Sequence, residues 1–263
     1  MKIIKGVRPK KSLGQHFLKD LKIAKQIADT IDLGGCAAVL EVGPGTGVLT
    51  QFLLKKDINL KVVELDQDSV NYLNEHFPDL RNRILKEDFL RIDLKQLFPG
   101  EFIVIGNYPY NISSQIFFKI LDNKEQIPFC SGMIQKEVAE RIASRPGRKA
   151  YGIISVLLQV WYDIECLFTV DEHVFDPPPK VKSAVVCLKR NARTELGCDE
   201  ALFKTVVKTA FNQRRKMMRN SLKQLLGKDS EVFNQPVFDK RPEQLSVEEF
   251  IQLTNIINKY LPE

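Results

Sequence analysis

Five short, continuously apolar runs between Ala37 and Lys189 leave this chain few ways to fold. They occupy 37–42, 60–65, 83–88, 101–107 and 131–137. None alternates apolar with polar residues, as a strand with one wet face would. They therefore read as parallel strands buried on both faces. Helical patterns fall between them at Thr46–Lys56, Asp68–His76 and Ser113–Leu121. Alternating β and α predicts a doubly wound α/β sheet. Cys166–Val170 and Ser183–Lys189 read as a closing β pair around the Pro-rich turn FDPPPK, 175–180. After Arg193 the pattern changes: 199–213, 214–227 and 246–260 are helical, with no strand between them. The expected division is an α/β domain over 1–190, with a basic N-terminal arm, and a small all-helical domain over 191–263. The loop SRPGRKAYG, 144–152, is basic and holds Pro and Gly, which predicts a mobile segment.

Charge narrows the class further. The net charge is +6, but residues 1–25 alone carry eight basic residues and one acidic. Residues 204–223 carry seven basic and no acidic residues, and Lys180–Arg193 carries five and none. Three one-sign concentrations point to a polyanion, nucleic acid before membrane, although any single run is also what a solvated helix face looks like. No apolar run approaches the ~18–20 residues of a membrane span. The N-terminus lacks the apolar core of a signal peptide. Five scattered cysteines without a C-x-x-C pair, and three isolated histidines, predict no metal site and reduced thiols in a cytoplasm.

The strand ends carry the chemistry. EVGPGTG, 41–47, closes a strand and opens a helix; Gly43 and Gly45 would allow the backbone to approach a ligand closely. Glu64 follows about 20 residues on, where a carboxylate accepts from ribose hydroxyls. That pattern fits NAD and S-adenosylmethionine equally. Asp88 ends the third strand, either as an acceptor for an adenine amino group or as the N-cap of the next helix. The fourth strand runs into GNYPYNIS, 106–113. There the Asn107 carboxamide and the Tyr108/Pro109 backbone could accept both hydrogens of an exocyclic amine, turning its lone pair toward an electrophile. Tyr110 would stack on the base. A base in structured RNA must be splayed out to reach such a cleft. Phe175 could form a second aromatic wall, or pack in the core.

Taken together, KSLGQHFL (11–18), EVGPGTGVLT (41–50), VVELD (62–66), GNYPYNIS (106–113), FDPPPKVKSAVV (175–186), FNQRRKMMRNSL (211–222) and RPEQLSVEEFIQL (241–253) resemble the KsgA-type small-subunit ribosomal RNA adenine N6,N6-dimethyltransferases. The resemblance spans nearly the whole chain, in order. It implies a Rossmann-like methyltransferase sheet and S-adenosylmethionine as cofactor. It implies as substrate two adjacent adenosines in the 3′-terminal hairpin loop of 16S rRNA, in the 30S subunit or its precursor. It implies cofactor contacts at His16, Leu18, Gly43, Glu64, Asp88 and Asn107. Two positions depart from the family's common residues: His16, where many members carry Asn, and Tyr108, where many carry Leu or Ile. A backbone contact survives either change. Arg214, Arg215, Lys216 and Arg219 are then expected to hold RNA phosphates. No feature calls for an obligate dimer, so a monomer is expected. Rival readings are a 23S rRNA methyltransferase of the antibiotic-resistance type, a ribosome-assembly factor that binds without needing catalysis, and an NAD-dependent oxidoreductase. The last leaves NYPY and the basic C-terminal segment unexplained.

Overall fold

The computed structural model describes residues 6–227 and 231–261. Lys2 and Lys5, which belong to the basic arm, lie outside the described residues. The strands are β1 (Phe17–Leu18), β2 (Ala38–Val42), β3 (Asn59–Val63), β4 (Ile84–Leu85), β5 (Ile103–Asn107), β6 (Phe129–Gln135), β7 (Tyr162–Val170), β8 (Phe175–Asp176) and β9 (Ser183–Arg190). The helices are α1 (Leu21–Ala28), α2 (Thr50–Leu53), α3 (Gln67–His76), α4 (Ser113–Asp122), α5 (Lys136–Ile142), α6 (Ile153–Gln159), α7 (Glu200–Asn212), α8 (Met218–Ser221), α9 (Lys223–Leu226) and α10 (Val247–Asn258).

Seven strands form one sheet in the order β4-β3-β2-β5-β6-β9-β7. The five from β4 to β6 are parallel, and β9 runs antiparallel to β6. Val39, Leu40, Val62, Ile103, Val104 and Ile105 have essentially no exposed surface, as strands covered on both faces require. The chain winds outward from β2 to β4, then returns across β2 to build β5 and β6. Strand order therefore reverses between β2 and β5, where Val42 sits opposite Gly106. Ligands of open α/β sheets bind in the crevice at that reversal, beyond the carboxyl ends of the strands. The segment before FDPPPK and the one after it, β7 and β9, are neighbours at one sheet edge, while β8 pairs antiparallel with β1.

The chain divides into two compact units: Met1–Ala139 with Asp163–Arg190, and Glu140–Tyr162 with Asn191–Glu263. The second unit thus takes in residues 140–162, which the sequence had placed with the sheet. Tyr151 explains why: it is fully buried and meets Phe211 of α7 edge-on at 6.0 Å. The Gly147 N–H also donates to the Glu243 carbonyl at 2.6 Å, so the 144–152 segment is anchored at both points. Phe211 stacks in turn on Phe250 of α10. A reciprocal cap, Ser246 with Glu249, starts that helix.

Two expected helices are shorter than the pattern suggested. Gly47 adopts φ +76°, which delays the helix expected from Thr46; α2 begins at Thr50. The expected 214–227 helix is broken because the Met218 N–H is taken by the Lys240 carbonyl rather than by a residue one turn earlier. Met217 is extended there, and only the short turns α8 and α9 follow.

Candidate active site

The site forms where β2, β3, the 86–90 turn and β5 end along one sheet edge. β2 leads into Gly43 and Gly45, the latter at φ +55°. That left-handed conformation turns the Gly45 N–H to donate to Glu64 Oε2 at 3.0 Å. Glu64 Oε1 accepts from the Asp66 N–H at 2.8 Å. Its carboxylate is nearly buried, and burial pushes its pKa above the ordinary range. Each oxygen keeps a second lone pair for a further donor. Asp88 Oδ1 accepts from the Leu90 N–H at 2.9 Å and so closes a turn, but no helix starts there, and the expected helix cap is not formed. Asp88 Oδ2 lies 3.6 Å from Arg91 Nε, and the residue still faces the cleft.

At the end of β5, Asn107 donates its Nδ2 hydrogen to the His16 carbonyl at 3.2 Å. A carboxamide held by its nitrogen presents its oxygen on the opposite side, as an acceptor. Tyr108 is fully buried; its hydroxyl donates to the Ser131 carbonyl at 2.9 Å. Its ring lies on Gly106 and Gly132, where a Cβ would sit 2.9 Å and 2.5 Å from ring carbons. The Tyr110 hydroxyl pairs with Ser183 Oγ, and burial raises its pKa, so the phenol stays protonated.

His16, Gly43, Gly45, Glu64, Asp88, Asn107, Pro109 and Tyr110 all border one cleft, which encloses about 910 Å³ including its open mouth. Leu18 and Phe175 do not. Leu18 is buried and lies opposite Phe175 in the β1–β8 pair. Phe175 has no exposed surface and packs in the hydrophobic core. The expected second aromatic wall is therefore corrected to core packing: pairing of β8 with β1 draws the ring inward.

Two features of the cleft, an exposed leucine and a latch on the wall that carries His16, escaped the sequence reading. Leu65 is 50% exposed and lines the cleft beside Glu64, an apolar surface left open to a flat ligand. The segment from Leu13 to Phe17 forms one wall. That wall is latched: Lys10 Nζ bonds Asp66 and, at 2.8 Å, Asp68, while Gln15 joins Lys10 to Asp66. Burial alone would raise the Asp66 carboxyl, but these bonds and Ser69 hold it below its ordinary value. Nothing in VVELD marks its leucine as exposed, and the latch joins residues 56 positions apart.

In the second unit, the four expected RNA-binding residues divide. Arg215 and Lys216 are exposed, and among the described residues neither side chain pairs with an acidic group. Arg214 donates to the Arg148 carbonyl at 3.2 Å and lies over the Phe211 ring. Arg219 pairs with Asp239. The 180–193 concentration is largely neutralised as well: Lys182 pairs with Asp171, Lys189 with Asp32 and Arg193 with Glu248.

A family model described as ribosomal RNA adenine dimethylase matches residues 6–259. The chain belongs to that family. It is 69% identical to the ribosomal RNA small subunit methyltransferase A of Parabacteroides distasonis, covering 97% of this chain and 96% of that one. Identity to the corresponding protein of Bacteroides thetaiotaomicron is 64%, over 98% and 97%. A dimethyladenosine transferase from Plasmodium falciparum shares the fold, with TM-score 0.77 over 93% of this chain and 98% of that one, at 24% identity. The 23S rRNA methyltransferase ErmE aligns with TM-score 0.66 at 26% identity, over 92% and 99%.

Proposed function

We propose that this family member is an S-adenosylmethionine-dependent methyltransferase that dimethylates the N6 amino groups of two adjacent adenosines in the 3′-terminal hairpin loop of 16S rRNA. It acts as a cytoplasmic monomer on 30S particles, late in their assembly. The observation that carries this reading is the Asn107 carboxamide, pinned through its nitrogen to the His16 carbonyl at the strand-order reversal, which leaves its acceptor oxygen on the other side.

The cleft fits the cofactor. Glu64 offers free lone pairs to ribose hydroxyls, Asp88 offers Oδ2 to an amino group, and exposed Leu65 offers an apolar face to adenine. Gly43 and Gly45 allow close backbone approach. When bound, S-adenosylmethionine supplies a methyl group already activated on a sulfonium. The protein's work is then orientation. An adenine N6 lone pair is delocalised into the ring and is a weak nucleophile. Asn107 Oδ1 and the peptide oxygens at Tyr108 and Pro109 accept its two hydrogens, which favours a pyramidal nitrogen with its lone pair free. Tyr110 stacks on the extruded base. No strong base is required, and the proton lost from nitrogen leaves to water. Arg215 and Lys216 contribute phosphate contacts from the helical unit.

Tritiated methyl transfer to purified small subunits from a methylation-deficient strain tests this reading. Two dimethylated adenosines in 16S rRNA are expected. Label confined to 23S rRNA would assign the rival substrate, and tight binding without label would leave only an assembly role.

A further inference from the structure

The His16 imidazole is turned toward Tyr110. The two rings stack with centroids 5.3 Å apart and planes 28° apart. His16 Nδ1 is hydrogen-bonded to the Pro177 carbonyl at 2.7 Å, which fixes the imidazole from its other side. The Tyr110 hydroxyl is held at the tip of its ring by Ser183 on β9. The aromatic ring expected to receive the target base is therefore fixed at its tip and on one face. A base cannot enter between His16 and Tyr110, because two stacked contacts of about 3.5 Å each need roughly 7 Å. Phe175, the other aromatic expected at this place, is fully buried.

We infer that the His16 side chain is a positioning residue for the target adenine: it backs the Tyr110 ring, so that the opposite face receives the base. This assigns the imidazole to the base slot rather than to the cofactor, and it rests on the reading of Tyr110 as the stacking ring. Residue 16 then serves twice. Its carbonyl fixes which way the Asn107 amide faces, and its ring fixes Tyr110. Ordering of one short wall thus prepares both groups that meet the adenine.

Stacking on the base is made equally in the ground and transition states, so its loss should appear in KM for the RNA substrate. His16→Ala should raise KM for undermethylated small subunits about fivefold, as expected for one lost aromatic contact. Cofactor Kd, measured by calorimetry, should stay within about twofold. His16→Phe, which keeps a ring but not the nitrogen, should recover most of the loss. A cycle with Tyr110→Ala separates the possibilities. If His16 acts through Tyr110, the double variant is no worse than Tyr110→Ala alone. Additive losses, or a cofactor Kd that rises in parallel with KM in His16→Ala, would overturn the assignment while leaving Tyr110 its role. A Tyr110→Ala enzyme with unchanged KM would instead remove the base-slot reading itself.

Discussion

An amide side chain can turn over at little cost, and the direction it faces decides whether it donates or accepts. The His16 carbonyl makes that choice for Asn107. Asn107→Ala should therefore lower kcat by about 100-fold or more, the range seen when one aimed hydrogen-bonding group is removed from a reaction site. Cofactor Kd should change little. Glu64→Ala should do the reverse, raising cofactor Kd with a smaller effect on kcat; stopped-flow binding with single-turnover transfer resolves the two. Glu41, next to the end of β2, has another consequence. It is fully buried with Oε2 unpartnered, and burial pushes its pKa from 4.5 to about 8. The folded state thus holds a proton that the unfolded chain releases. Its favourable contribution is complete below pH 4.5 and lost as pH rises through about 8. Relative to wild type, Glu41→Gln should gain roughly 1.4 kcal/mol of stability per pH unit across that window. Urea titrations at pH 5 and pH 8.5 that give equal differences would contradict the buried proton. At this scale Glu64 and Asn107 were legible because they stand at strand ends, whereas Asp88 lies three residues past the end of β4 on a turn. Leu65 and the Lys10–Asp66 latch were not, since a side chain's exposure and a pairing across 56 positions depend on the folded chain.

At the scale of elements, β5 and β6 approach closely enough to hold the Tyr108 ring against their glycines. A Cβ at Gly132 would lie 2.5 Å from the Gly106 carbonyl oxygen and 2.5 Å from the Tyr108 ring. Backbone cannot yield as a flexible side-chain tip can. Gly132→Ala should destabilise the sheet unit by about 1–3 kcal/mol and shift the Asn107–Tyr110 turn, as overpacked cores do. A denaturation midpoint within error of wild type would show that the strands can part without cost. The central strands β2, β3 and β5 were readable because apolar residues dominate them. The 214–227 segment was misread as one helix because its composition suits a helix, whereas the Lys240 carbonyl competes for the Met218 N–H. Residues 140–162 were likewise assigned by sequence neighbourhood, while Tyr151 buries its ring against Phe211.

For the whole molecule, net charge overstates the positive surface left for a polyanion, because Lys182, Lys189, Arg193 and Arg219 are already paired within the chain. Arg215→Ala with Lys216→Ala should weaken binding to small subunits and reduce the salt slope by roughly two, near one per lost phosphate contact. Arg219→Ala should leave that slope unchanged and cost the fold at most about 1 kcal/mol, since Arg219 is half of a surface pair with Asp239. Equal slopes for both variants would return Arg219 to the footprint. The order of motifs along the chain determined the parallel sheet, the cofactor edge and the family, because buried strands and the turns between them are encoded locally. Tertiary structure alone decided that Phe175 lies in the core, that His16 faces Tyr110 and which arginines remain free. Those outcomes depend on which distant groups reach one another first-hand in space, and neither hydrophobic period nor charge count carries that information.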